Sequence, residues 1–144
     1  MPMEILLVED SPGDIRLTRE AFKDAKVHIN LHVAMDGIEA MAFLRREGKH
    51  ADAPCPDLIM LDLNLPKKDG REVLADIKES PTLKTIPVVI LTTSAYEMDI
   101  LRSYESHANS YISKPVGLDG FLEVVKSIDG FWLSVVKLPR DAQS

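Results

Sequence analysis

Several things are scarce in this 144-residue chain, and each scarcity excludes a class of protein. There is one cysteine, Cys55, so no internal disulfide can form, which fits a reducing compartment. No apolar run approaches the ~20 residues of a membrane span. The start, Met1-Pro2-Met3-Glu4, has no basic region or cleavage signal before Ile5, so a cytoplasmic protein is expected. No Lys/Arg cluster offsets a formal charge of -6, which argues against nucleic-acid binding. Gly13 and Gly37 are isolated and form no glycine-rich phosphate loop. His28 and His32 lack a third ligand, and Cys55, between Pro54 and Pro56, has no histidine partner nearby, so neither marks a metal or nucleophile site.

What is present is alternation. At 45% hydrophobic and 28% charged, the composition is that of a soluble globular domain, with room for one ordinary domain. Ile5–Val8, Leu58–Leu61 and Val88–Leu91 are unbroken apolar runs, the pattern of strands buried on both faces. Asn30–Ala34 alternates like a half-buried strand nearer a sheet edge, and Tyr111-Ile112 reads as a short fifth strand. Between them apolar residues recur at helical spacing: Ile15, Thr18, Phe22 and Ala25; then Ile38, Met41, Ala42 and Leu44; then Val73, Leu74 and Ile77; then Ile100, Leu101 and Tyr104. The polar stretch from Glu47 to Pro56 reads as an exposed loop, and Ser80-Pro81 should end the third helix. Five strands alternating with helices predict a parallel sheet with helices on both faces.

In such a sheet the carboxyl ends of the strands share one edge, where ligands bind. The residues falling there are Glu9 and Asp10, Asp62, Thr92 and Lys114. Each alone has an ordinary reading as a solvated strand end, a β-branched strand residue or a surface charge. Together, three carboxylates would repel one another unless a cation intervened. An all-oxygen set suits Mg²⁺. One divalent ion and one lysine leave three carboxylates neutral and ready for an incoming anion.

The Glu9-Asp10 pair, the run Asp62-Leu63-Asn64-Leu65-Pro66 with Asp69-Gly70, Thr92 and Lys114-Pro115 resemble the receiver domain of two-component response regulators, over residues 4 to about 128. The resemblance implies a flavodoxin-like doubly wound five-stranded parallel sheet in the order 2-1-3-4-5. It implies that Asp62 accepts a phosphoryl group from a sensor histidine kinase, with Glu9, Asp10, Asp62 and the main-chain carbonyl of Asn64 holding Mg²⁺. Lys114 would contact the phosphoryl oxygens, and Thr92 and Tyr111 would form a switch pair, with Tyr111 as plain core the alternative. A phosphatase working through an aspartyl intermediate normally has a second aspartate two residues on, where this chain has Asn64. A flavodoxin-like cofactor binder would be repelled by Glu9-Asp10, and a module that is never phosphorylated leaves the acidic set without a purpose.

The carboxyl-terminal part, about 119–139, is too apolar for a helix docked on one sheet. Phe121, Val125, Ile128, Trp132 and Val135 form one stripe, Val124, Phe131 and Leu138 a second and Leu122, Leu133 and Val136 a third, together roughly 220° of arc against the ~100° that docking needs. A homodimer built on Phe121, Phe131, Trp132, Val135 and Val136 is expected, the alternative being a fold-back over the same domain. This tail and the long loop before Asp57 are similar to small cyanobacterial-type phytochrome response regulators, which implies a light-sensing kinase as partner. The whole chain, 1–144, is expected to be a single receiver domain.

Overall fold

A computed structural model of the chain describes residues 3–25, 29–92 and 110–113. Within them the apolar runs become strands β1 (Met3–Val8), β3 (Leu58–Asp62) and β4 (Val88–Thr92), with β2 (Ile29–Ala34) and β5 (Ser110–Ser113) outside them. All pairs are parallel and the order is β2-β1-β3-β4-β5, the expected winding. The fourth and fifth helices expected from the sequence lie outside the described residues.

Because side chains alternate across a strand, each run feeds two cores. On one face Leu6, Val8, Ile59, Leu61, Val88 and Ile90 pack with helices α2 (Gly37–Arg45) and α3 (Gly70–Glu79). On the other, Ile5, Leu7, Leu58, Met60, Val89 and Leu91 meet Phe22 of α1 (Pro12–Ala25). Most of these strand residues are fully buried, each worth about 1.5–3 kcal/mol relative to exposure.

Local chemistry sets where the helices begin. Ser11 Oγ accepts the Asp14 amide at 3.3 Å ahead of Pro12, which suits a first helical turn. Asp36 Oδ1 caps α2 through the Glu39 amide at 2.7 Å, and Asp69 Oδ1 caps α3 through the Arg71 amide at 2.7 Å. Helix α2 stops at Arg46, whose φ of 57° is left-handed, and α3 stops at Ser80 before Pro81.

Two expectations need correction. Ile38 is 57% exposed, because α2 turns Ala40, Met41, Phe43 and Leu44 inward and leaves Ile38 on the outer side. The stretch from Glu47 to Pro56 is not uniformly exposed: Gly48–His50 forms a short 3-10 turn, Ala53 packs against the core and Pro56 is buried.

Candidate functional site

The parallel register brings the strand ends together. Val8 stands level with Ala34 and Leu61, Asp62 with Leu91, and Thr92 with Ser113. Glu9 therefore leaves β1 beside the end of β3, and its amide donates to the Ala34 carbonyl at 2.9 Å. A carboxylate oxygen from each of Glu9, Asp10 and Asp62 lies within 4.8 Å of the others. Glu9 is 1% exposed and Asp62 4% exposed, whereas Asp10 faces solvent.

Backbone amides hold two of these groups in place. The Ser11 amide donates to Glu9 Oε2 at 3.2 Å, and the Asn64 amide donates to Asp62 Oδ1 at 3.1 Å. Beneath Asp62, α3 approaches so closely that a Cβ on Gly70 would overlap the Asp62 carbonyl oxygen and lie 2.7 Å from Leu63 Cα. The Gly70 amide donates to the Leu63 carbonyl at 3.0 Å. The loop between β3 and α3 is also held by the start of α2 and by α3 itself. A Cβ on Gly37 would overlap the Lys68 carbonyl oxygen, Lys67 Nζ stands 3.5 Å from Asp36, and Lys68 Nζ 2.6 Å from Asp76. Sequence reasoning missed these supports, because a glycine's close approach to a distant stretch of backbone leaves no local signal in the sequence.

The donor set fits a divalent cation. It is all oxygen, it draws on two chain segments, and two of its three carboxylates are out of bulk water, where mutual repulsion is least screened. Of the other residues singled out from the sequence, Thr92 closes β4 and Tyr111 stands level with Ile90 in β5. Asn64 is exposed just past Asp62. Lys114 follows β5 directly but lies outside the described residues, as do Phe121, Phe131, Trp132, Val135 and Val136. His32 Nε2 is bound to Glu4 Oε1 at 2.7 Å.

A parallel sheet in this order, with an acidic set of this composition at its carboxyl edge, defines a receiver. The chain belongs to the response regulator receiver domain family, whose model matches residues 5–126. Members are phosphorylation-based switches of two-component signalling. The chain is similar to response regulator Rcp1 of Synechocystis sp., 52% identical over 138 residues that cover 96% of this chain and 94% of Rcp1. The solved Mn²⁺-bound form of Rcp1 superposes with a TM-score of 0.75, covering 94% of this chain and 97% of that one. Two further structures are similar. The phosphorylated cyanobacterial phytochrome response regulator RcpA has a TM-score of 0.76 and 55% identity, covering 93% of this chain and 96% of its own. The bacteriophytochrome response regulator AtBRR has a TM-score of 0.86 and 41% identity, covering 92% and 96%.

Proposed function

We propose that Asp62 is the phosphoacceptor and that Glu9, Asp10, Asp62 and the Asn64 carbonyl hold Mg²⁺. The observation that carries this reading is the meeting of three carboxylates at the one edge where a buried strand ends in aspartate. A carboxylate oxygen of Asp62 attacks the phosphorus of a kinase phosphohistidine. The new P–O bond forms as the P–N bond breaks, and the imidazole leaves with the electron pair and takes a proton from solvent. When bound, Mg²⁺ neutralises charge on the phosphoryl oxygens during such a transfer. The Asn64 amide bonds Asp62 Oδ1 and so orients the carboxylate for attack. Lys114 adds a point charge on the phosphoryl oxygens, and the Thr92 hydroxyl binds them in concert with a rotation of Tyr111.

Turnover is not the role of this edge. Position 64 offers an amide side chain where an aspartyl phosphatase needs a carboxylic acid, which favours a phospho-accepting switch over an enzyme that turns over. Similarity to proteins named as phytochrome response regulators supports a light-sensing histidine kinase as partner, and a cytoplasmic location is part of the same proposal. The segment about 119–139 supports a homodimer of one receiver domain, 1–144, through Phe121, Phe131, Trp132, Val135 and Val136.

Incubation with a phosphorylated histidine kinase tests the assignment. Wild type should be labelled with Mg²⁺ present and lose labelling on chelation, and Asp62→Asn should stay unlabelled. Undiminished labelling of Asp62→Asn would refute it. Sedimentation of Trp132→Glu tests the dimer, which fails if wild type is already a monomer at micromolar concentration.

A further inference from the structure

The face of β2 turned towards α1 is only partly covered. Ile29, Leu31 and Val33 alternate along it and pack against the core while remaining part-exposed. β2 is an outer strand of the sheet and, among the described residues, pairs with β1 alone. Two cavities of about 330 and 700 Å³ lie along it and Arg19 borders both, giving a groove in two parts. Phe22, Ile29 and Leu31 line one end, and Ile15, Val33 and Met35 the other.

The rim has the opposite sign to the chain as a whole. Arg16, Arg19, Lys23 and Lys49 border the groove, against the single carboxylate of Glu39 among its described lining residues. The formal charge of the whole chain is -6. Arg16 is shared with Glu20 at 3.3 Å, but both side chains are largely exposed, and such a pair holds little energy.

An apolar floor between cationic walls asks for a ligand with the complementary arrangement. A nucleic-acid backbone would meet the cations but gain nothing from a recessed floor of Ile15, Leu31 and Val33. A lipid surface is too flat to reach into a groove. The geometry points to docking of an acidic amphipathic segment of a partner protein here, its apolar side chains on Ile15, Leu31 and Val33 and its carboxylates on Arg19 and Lys23. This is the helix-in-groove mode of recognition. The groove begins at Pro12, next to Ser11, whose amide is bound to Glu9, so it opens one turn of chain from the acidic edge.

The test is fluorescence anisotropy of the full chain with a labelled amphipathic peptide bearing leucines on one side and glutamates on the flanks. Saturable binding is expected, weakened by salt and reduced about tenfold by Arg19→Glu with Lys23→Glu. Both residues are exposed, so matching melting temperatures should show that the variant folds. Leu31→Ser should weaken binding through the floor, whereas Asp62→Asn should bind as wild type does, which separates this docking site from the phosphoacceptor assignment. The proposal is overturned by no saturable binding, by equal binding of a scrambled or Lys-for-Glu peptide, or by charge reversal without effect. Self-association abolished by Arg19→Glu would identify a second copy as the occupant, and binding of RNA or DNA lost in the same variant would identify nucleic acid. Either result replaces the acidic segment.

Discussion

Glu4 and Glu9 stand near opposite ends of β1, and the company they keep differs in sign. Glu4, with 21% of its side chain exposed, accepts from Asn30 Nδ2 at 2.7 Å and from His32 Nε2 at 2.7 Å. An ionised carboxylate can only accept, so the imidazole supplies the proton in that contact. Burial pushes the Glu4 carboxyl up, but the bonds from His32 and Asn30 and the charge of His32 outweigh it, leaving its pKa below the usual 4.5. Behind His32 the Phe43 ring lies 5.3 Å away, so the network is fixed by packing. Glu9 is deeper, 1% exposed, and shares its place with Asp10 and Asp62. A withdrawn carboxylate answered by its own side chains is structure. One massed with further carboxylates is the candidate site for a cation.

The comparison can be broken most forcefully from below the acidic end. Gly70→Ala places a methyl group against the Asp62 carbonyl and Leu63 backbone. We expect a loss of about 2–3 kcal/mol in urea unfolding together with weaker metal binding. A fall in stability with unchanged metal affinity would mean that α3 does not hold Asp62 in place. Asp10→Asn removes a charge from an exposed donor, so calorimetric Mg²⁺ affinity should fall at least about tenfold with little change in fold.

The smallest effect belongs to the other end. Because the folded pKa of Glu4 is depressed, its contribution is present above its unfolded pKa and is lost as pH falls through the folded value. Glu4→Gln should therefore cost about a few tenths of a kcal/mol at neutral pH, the scale of a solvent-screened pair. The difference from wild type should close in melts below pH 4.5. A difference that persists there would assign the role of Glu4 to shape rather than charge.

The two ends also differ in how far they could be read from the sequence. The acidic end was legible because a parallel sheet gathers strand ends whatever the register, so Glu9, Asp10 and Asp62 needed only the strand assignments. Those were secure where Leu58–Leu61 and Val88–Leu91 are covered on both faces. The Glu4 network was not legible, because it depends on Glu4 standing opposite Asn30, a register no periodicity discloses. Gly37 and Gly70 were hidden for a related reason: their meaning is a close approach of backbones distant in sequence. Ile38 misled because α2 is short and apolar enough to leave one large side chain on its outer face.

Whether like charges at this edge are made tolerable by a shared cation is tested most directly by thermal unfolding of wild type against Asp62→Asn, in chelator and then in saturating Mg²⁺. In chelator the variant should be the more stable, by on the order of 1 kcal/mol, since one of the repelling carboxylates is gone. With Mg²⁺ at a hundredfold its dissociation constant, wild type should gain about 2.7 kcal/mol and overtake a variant that gains far less. A variant less stable than wild type in chelator, with an equal response to Mg²⁺, would contradict a shared cation.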